Sequence, residues 1–207
     1  MTSRAGLAAI VLAGGASSRF GGDKMAALLD GRPILHHALA AAAEVAGTVV
    51  VVLAPGADTT SLPAGRSRLV VAHDPETHQG PLAGLAAGLS AMAQAAPEVD
   101  LAIVVGGDMP WVVPAVLRAL LAALDADATL GAATLEAEPT AVLPMAVRPS
   151  MIAPVAAGLL AVGRRALRGV LARVPAGVVP ATTWRALDSE AQTLRDVDLP
   201  GDLRRAR

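Results

Sequence analysis

The chain has 207 residues, of which 54% are hydrophobic and 1% aromatic, and its formal net charge is −1. A chain of this length can bury a substantial core and is predicted to form one domain. The near-neutral charge argues against nucleic acid or an anionic membrane surface as a partner. The absence of cysteine excludes disulfides and thiolate metal sites, and no apolar run is long enough to span a membrane. We therefore expect a cytoplasmic protein.

Short apolar segments alternate with alanine- and leucine-rich segments in the first half of the chain. Four segments are rich in Val, Ile and Leu without polar alternation, which is typical of buried parallel strands. They cover residues 7–13, 48–54, 68–72 and 101–105. Residues 33–46, 81–95 and 114–124 are predicted helices. This alternation predicts the α/β class, with a mostly parallel central sheet covered by helices on both faces.

The second half of the chain has a weaker pattern. Residues 128–134 and 141–147 are predicted strands, which we expect to pair antiparallel. Residues 151–161 and 164–174 are predicted helices over the sheet, and residues 200–205 are a short terminal helix.

A glycine-rich loop, LAGGASSRFGGDK at residues 12–24, follows the first predicted strand. Glycines let backbone N–H groups turn toward an anion without obstruction by Cβ. Arg19 and Lys24 add positive charge, so a nucleoside triphosphate is the natural ligand. The loop is not a Walker motif, because Met25 follows Lys24. Two surface turns at the glycine pairs are the alternative.

Two aspartates follow other predicted strands. In an α/β sheet, ligands bind outside the carboxyl ends of the strands, so Asp74 and Asp108 are expected to lie near the glycine-rich loop. Asp108 is a candidate Mg²⁺ ligand because Mg²⁺ binds one or two carboxylates together with phosphate oxygens. Capping of the next helix by Asp108 is the alternative. Asp74 fits either a nucleotide site or a turn closed by its own side chain.

These segments resemble the molybdenum cofactor guanylyltransferase family, within the wider nucleotidyltransferases. The family pattern is Leu-Ala-Gly-Gly, then Ser, Arg, Met or Phe, Gly, and Asp-Lys, and residues 12–24 match it. Asp74, GPLAGL at residues 80–85 and GDMP at residues 107–110 match at family-like spacing. The resemblance runs from residue 7 to about residue 203 and is strongest in the first half.

The resemblance implies a single-domain, three-layer Rossmann-like nucleotidyltransferase fold. Residues 7–115 would form the nucleotide-binding half and residues 116–203 the acceptor-binding half. The implied catalytic residues are Arg19, Lys24 and Asp108, with Asp108 holding the metal. The implied nucleotide-binding residues are Leu12, Ala13, Gly14, Gly15, Lys24, Asp74, Gly80, Pro81, Gly84 and Asp108.

The resemblance also implies the reaction. GMP would pass from GTP to the terminal phosphate of molybdopterin, with release of pyrophosphate and formation of molybdopterin guanine dinucleotide. The reaction would need Mg²⁺, for which Mn²⁺ can substitute. Transient contact with proteins that insert the cofactor, or with the molybdoenzymes that receive it, is also implied.

Two positions favour guanine over cytosine. Relatives that transfer CMP have alanine where this chain has Gly14, and they lack the proline found here at Pro81. Two other functions stay open. One is a related enzyme that uses CTP or another acceptor: molybdopterin cytidylyltransferase, or a sugar-phosphate or phospholactate nucleotidyltransferase. The other is a nucleotide-binding module without catalysis.

The chain departs from the family at two places. Leu53 and Pro55 stand at the end of the second strand, where relatives often have asparagines, and a leucine cannot replace an amide hydrogen bond. Residues 196–203, DVDLPGDL, resemble the family run Asn-x-Asp-Thr-Pro-Glu-Asp-Leu, with Asp196 in place of the asparagine. We expect Asp196 and Asp198 to cap the last helix.

Three arginines and a tryptophan in the second half have more than one interpretation. Arg164, Arg165 and Arg168 fit a solvated helix face better than a binding site for the acceptor phosphate. Trp184 is expected to be a packing residue, with a place in the acceptor pocket as the alternative.

Overall fold

The computed structural model describes residues 6–14, 20–59, 62–63, 67–74 and 80–204. The strands are β1 (Leu7–Ala13), β2 (Leu28–Leu29), β3 (Arg32–Pro33), β4 (Thr48–Leu53), β5 (Arg68–His73), β6 (Leu101–Gly106), β7 (Ala132–Leu135), β8 (Met145–Val147) and β9 (Ala176–Val179). The α-helices are α1 (Ile34–Val45), α2 (Pro81–Ala95), α3 (Pro114–Asp125), α4 (Pro149–Ala161), α5 (Arg168–Leu171) and α6 (Ala181–Trp184). Short 3₁₀ turns cover Gln192–Leu194 and Asp202–Arg204.

Seven strands of the described residues form one sheet in the order β5-β4-β1-β6-β8-β7-β9. The first four strands in this order are mutually parallel, while β8 runs antiparallel to both β6 and β7. Leu12 of β1 pairs with Val52 of β4 on one side and with Gly106 of β6 on the other. The carboxyl ends of β1, β4 and β6 therefore lie level at one edge of the sheet.

Helices cover both faces of the sheet and give three layers. Because side chains alternate across a strand, Val11 and Val51 pack with α1 and α3, whereas Ile10 and Val50 pack with α2 and α4. Every residue of β4 and β6 is buried, which explains why these strands have no polar alternation. None of the described helices combines the length and the apolar character needed to cross a membrane.

The predicted elements of the first half agree with the structure to within one residue at each end. The second half differs more. The strand predicted at residues 128–134 begins only at Ala132, because Asp127 accepts hydrogen bonds from the backbone and hydroxyl of Thr129 and forms a turn there. The predicted strand 141–147 is shortened to Met145–Val147.

Further differences concern two predicted helices near the end of the chain and several elements that the sequence did not predict. The helix predicted at residues 164–174 is shortened to α5, because the Arg165 carbonyl accepts a hydrogen bond from the Leu82 N–H rather than from its own segment. The terminal helix predicted at residues 200–205 is a 3₁₀ turn over Asp202–Arg204. The hairpin of β2 and β3, strand β9 and helix α6 were not predicted.

Helix α2 approaches the sheet closely through a glycine. A Cβ atom placed on Gly88 would lie 2.6 Å from Cγ2 of Ile10 and 3.1 Å from Cγ2 of Val52. Both neighbours are buried, so they have little room to move.

We therefore expect Gly88→Ala to lower the free energy of unfolding by about 1–3 kcal/mol, because overpacking outweighs the gain in helix propensity. Gly158 of α4 is the matched control, since no atom lies within 4 Å of a Cβ placed there. Gly158→Ala is expected to raise the free energy of unfolding by up to about 1 kcal/mol. Urea denaturation measures both, and equal stabilisation by the two substitutions would contradict the close contact of α2.

Candidate active site

A cavity of about 390 Å³ lies at the carboxyl edge of the sheet, beside the start of α2. Its lining contains many of the residues predicted from the sequence. These are Leu12, Gly14, Lys24, Asp74, Gly80, Pro81, Gly84 and Asp108. Met25, Val52, Gly106 and Leu143 complete the lining. The volume lies within the range of ordinary small-ligand pockets.

Of the predicted residues that the structure describes, Ala13 is not part of this lining. The side chain of Ala13 packs on the opposite face of the sheet, among the residues that contact α1 and α3. Only the backbone of Ala13 could therefore contact a nucleotide in this cavity. Gly15 and Arg19 lie outside the described residues.

Lys24 and Asp108 form an ion pair across the cavity. The Lys24 Nζ lies 2.8 Å from Oδ2 of Asp108 and 3.5 Å from Oδ1 of Asp198. The Lys24 side chain is only 11% exposed, so this pair is shielded from water more than a surface ion pair is. The alternative role of Asp108 as a helix cap is not seen, because α3 begins after Val113 without a side-chain cap.

Two glycines set the position of Asp108. A Cβ atom on Gly106 would collide with Oδ1 of Asp108, so the carboxylate folds back over the end of β6 only because Gly106 has none. The Gly107 N–H donates a 2.8 Å hydrogen bond to the Leu12 carbonyl. A Cβ on Gly107 would lie 3.0 Å from that of Ala13. The turn after β6 is thus held tightly against the end of β1.

The segment at residues 196–198 reaches the same place from the far end of the chain. The Val197 N–H donates a 2.9 Å hydrogen bond to the Asp108 carbonyl, and Asp198 pairs with Lys24. The Asp202 carboxylate, rather than Asp196 or Asp198, accepts the backbone hydrogen bonds of the turn that follows. The Asp198 carboxylate faces the ion pair of Lys24 and Asp108, and the capping expected of Asp196 and Asp198 stays a prediction.

Asp196 lies in the same electrostatic environment. Partial burial raises the pKa of its carboxyl group, and the nearby carboxylates of Asp108 and Asp198 raise it further. Among the described residues, the carboxylates of Asp108, Asp196 and Asp198 therefore outnumber the ammonium of Lys24 at this end of the cavity. Such a surplus of hard oxygen donors fits a divalent cation such as Mg²⁺. No group of three or more His, Cys, Asp or Glu side chains within the described residues has a metal-binding arrangement, so further ligands would have to come from phosphate or water.

Asp74 lies at the other end of the cavity. It is only 8% exposed, and its Oδ1 atom has no hydrogen-bond partner among the described residues. Its Oδ2 atom would lie 3.1 Å from a Cβ on Gly14 and 3.7 Å from a Cβ on Gly84, so these glycines leave the space beside it open. Burial raises the pKa of this carboxyl group. The turn proposed as its alternative partner involves residues 75–79, which lie outside the described residues.

A second cavity, of about 600 Å³, adjoins the first and shares Pro81, Asp108 and Leu143 with it. Arg165, Arg168 and Asp196 are among its other lining residues. The segment that carries the arginines is fixed to α2 by the 3.1 Å hydrogen bond from the Leu82 N–H to the Arg165 carbonyl. Arg165 and Arg168 are exposed, as expected. They also line the second cavity, which meets the first one at Asp108.

The remaining sequence expectations concern packing residues. The Leu53 side chain is buried with α1 on the far face of the sheet, and Val52 lines the cavity instead, so the amide contact of family asparagines has no counterpart at Leu53. Trp184 is fully buried, and its Nε1 donates a 3.0 Å hydrogen bond to the Glu136 carbonyl. The packing role predicted for Trp184 is confirmed.

Residues 9–177 match the MobA-like NTP transferase domain. The chain belongs to the MobA-like NTP transferase family. A probable molybdenum cofactor guanylyltransferase from Chloroflexus aggregans is 38% identical over 117 residues, which are 55% of this chain and 51% of that protein. The match to this relative thus spans about half of the relative's length.

Solved structures with the same fold cover nearly the whole chain. The molybdopterin-guanine dinucleotide biosynthesis protein A from Archaeoglobus fulgidus has a TM-score of 0.73 at 22% identity, over 96% of both chains. The 2-C-methyl-D-erythritol 4-phosphate cytidylyltransferase from Thermus thermophilus has a TM-score of 0.63 at 23% identity, over 95% of both chains. The predicted nucleotidyltransferase fold and the resemblance to the guanylyltransferases are confirmed.

Burial of the Asp74 carboxylate is expected to lower the free energy of unfolding of this MobA-like protein. Because its pKa is raised above the ordinary value of 3.8, ionisation favours the unfolded state. The loss of unfolding free energy is absent at a pH below 3.8 and reaches its full size at a pH above the raised pKa of the folded state. We expect Asp74→Asn to raise the melting temperature at pH 7 by about 2 °C or more, and this gain should shrink as the pH falls toward 4. Differential scanning calorimetry across this range measures the gain.

A variant that is less stable than the wild type over the whole range would show that the Asp74 carboxylate already has a favourable partner inside the protein. Leu53→Met, a change of similar volume at a neighbouring buried position, serves as the control and is expected to show no pH-dependent difference.

Proposed function

We propose that this protein transfers GMP from GTP to the terminal phosphate of molybdopterin, releasing pyrophosphate and forming molybdopterin guanine dinucleotide. The observation that carries the proposal is one cavity with two different ends. At one end lies the Asp74 carboxylate, whose Oδ1 atom has no partner among the described residues, and at the other lies the Lys24–Asp108 ion pair. We further expect the enzyme to act in the cytoplasm and to pass its product to proteins that insert or receive the cofactor.

The length of the cavity suits a nucleoside triphosphate. Asp74 follows β5 and Asp108 follows β6, and these strands are three intervals apart in the sheet. At the usual strand spacing this separation is about 14 Å between strand axes. A base placed beside Asp74 and Gly14 would therefore direct its phosphates toward Lys24 and Asp108.

The Asp74 carboxylate favours guanine as the base. Guanine presents two adjacent donors, N1–H and the N2 amino group, which a carboxylate can accept together. Cytosine presents one amino group beside the N3 lone pair, which a carboxylate repels. Of these two bases, only guanine would supply a donor to both oxygens of the Asp74 carboxylate, including the Oδ1 atom that has no partner among the described residues. This discrimination by hydrogen bonding is stronger than discrimination by space alone.

Lys24, Asp108 and Asp198 would act on the phosphates. An oxygen of the acceptor phosphate forms a bond to the α-phosphorus, and the bond from that phosphorus to the oxygen bridging to the β-phosphate breaks. Pyrophosphate leaves with that oxygen and its electron pair. Lys24 would donate hydrogen bonds to the phosphates and offset their charge, and Asp108 and Asp198 would hold Mg²⁺. The bound Mg²⁺ supplies further charge neutralisation, so positioning and electrostatics supply the catalysis.

The second cavity is the proposed site of the acceptor. Arg165 and Arg168 supply guanidinium groups suited to a phosphate monoester. Because this cavity meets the first at Asp108, an acceptor phosphate there would approach the nucleotide at its phosphate end. The nucleophile and the α-phosphorus would then be neighbours without rearrangement of the sheet.

The test of the proposed function is pyrophosphate release by the purified protein with Mg²⁺, molybdopterin and each nucleoside triphosphate in turn. We expect turnover with GTP and at least about tenfold less with CTP, which corresponds to the loss of one charge-assisted hydrogen-bond pair. A preference for CTP would overturn the guanylyl assignment. GTP binding without turnover under any of these conditions would favour the non-catalytic module.

Substitutions at the phosphate end separate binding from catalysis. We expect Lys24→Ala to raise the Kd for GTP about tenfold, since it removes a charge-assisted contact to the phosphates. Asp108→Asn should lower kcat by about 100-fold or more and change the Kd less, because charge neutralisation matters most in the transition state. Calorimetric titration gives the Kd, and the pyrophosphate assay gives kcat. Equal and small effects from both substitutions would contradict these roles.

A further inference from the structure

Lys24 occupies a position between two carboxylates in the phosphate end of the cavity. Its Nζ lies 2.8 Å from Oδ2 of Asp108, in the middle of the chain, and 3.5 Å from Oδ1 of Asp198, near the end of the chain. A cation bridging two carboxylates is also what a bound divalent metal would be. The ammonium group therefore stands at the place where the donor set would receive Mg²⁺.

The carboxylates are fixed independently of Lys24. The Asp108 carbonyl accepts the Val197 N–H at 2.9 Å, which joins the two acidic segments through their backbones. The turn that carries Asp198 is held by the Asp202 carboxylate, which accepts the N–H groups of Asp198 and Leu199. Removal of the ammonium would thus leave the carboxylates near each other and without the positive charge that lies between them.

Lys24 also lines the cavity in which the phosphates are placed, together with Gly14 and Asp74. Its side chain is long and rotatable, and an ammonium is a compact point charge without a fixed binding direction. A short movement of Nζ would exchange the carboxylate for a phosphate oxygen. The same group thus has two competing sets of anionic partners within reach.

We propose that Lys24 is an exchangeable counter-ion: without nucleotide it holds the cation position between Asp108 and Asp198, and it leaves that position for the phosphates when the nucleotide and a divalent metal bind. The proposal rests on the proposed function for the identity of the phosphates, and on the ion-pair geometry alone for the competition with metal. Lys24 is in this respect a positioning residue that prevents the metal site from filling before the nucleotide arrives.

The exchange makes metal and nucleotide binding cooperative. Metal alone must displace the ammonium from Asp108 and Asp198, and nucleotide alone must draw Lys24 away and leave the two carboxylates without it. When both bind, the metal replaces the positive charge that Asp108 and Asp198 lose, and the phosphates receive the ammonium that the metal displaces. Linkage requires the effect to be reciprocal, so metal should strengthen nucleotide binding by the factor by which nucleotide strengthens metal binding.

The test is the binding of Mn²⁺ to the full-length, nucleotide-free protein, followed by the loss of the EPR signal of free Mn²⁺. We expect Lys24→Met, which keeps the aliphatic stem and removes the charge, to bind Mn²⁺ at least about fivefold more tightly than the wild type. The double variant Lys24→Met/Asp198→Asn should lose most of this gain. Arg118→Met, an exposed position on α3, removes one positive charge elsewhere and should leave Mn²⁺ affinity unchanged.

A second readout guards against misfolding of the variants. Mn²⁺ should raise the melting temperature of Lys24→Met more than that of the wild type at the same concentration, because only a folded site gains from ligand binding. Equal or weaker Mn²⁺ binding by Lys24→Met would overturn the exchange. An equal gain in Arg118→Met would overturn it as well, since net charge would then be the cause. Both measurements are made without nucleotide or acceptor. A preference for CTP in the pyrophosphate assay would therefore overturn the proposed function but would not change the result of the Mn²⁺ measurements.

Discussion

The parallel pairing of β1 with both β4 and β6 is the constraint on which the site depends. Because β1 is the first strand and lies in the middle of the sheet, the chain must add strands on one side and then return to the other. The matched registers place the ends of all three strands at one level. Segments that follow different strands, among them the one that begins at Gly14 and the one that holds Asp108, therefore meet at one edge, whatever their separation in sequence.

Small residues then decide what this edge can hold. Gly84 and Gly88 are one turn apart on the same face of α2. Gly88 lets the helix lie directly on Ile10 and Val52, and Gly84 leaves the space beside the Asp74 carboxylate open. The close packing that anchors the helix and the opening of the cavity thus come from the same feature of the sequence, in a chain that has almost no aromatic residues to fill such space.

The sequence predicted the site residues that follow directly on a recognisable local pattern, such as a parallel strand or a glycine-rich loop. Asp74 and Asp108 directly follow parallel strands of the sheet, and Lys24 lies at the end of the loop that follows β1, so the rule for parallel sheets was enough to bring them together. The sequence did not place Asp198 at the site, because its segment reaches the site through the Val197–Asp108 backbone hydrogen bond. This contact joins residues 89 positions apart, and no local pattern encodes it. Strand β9, only four residues with alanine and glycine first and partly exposed, lacked the apolar run that marked the other strands.

The two ends of the cavity lack different things: one end lacks a hydrogen-bond donor, and the other lacks positive charge. At the Asp74 end, a buried acceptor has no donor among the described residues, and a neutral base with the right pair of N–H groups can supply one. At the Asp108 end, the Lys24 ammonium faces three carboxylates of the described residues, and added positive charge would relieve the repulsion between them. A free nucleotide alone would satisfy the first end while adding negative charge to the second. In the proposed reaction, selection of the base and neutralisation of the phosphates would therefore be separate tasks, performed by groups held apart by the width of the parallel strands between them.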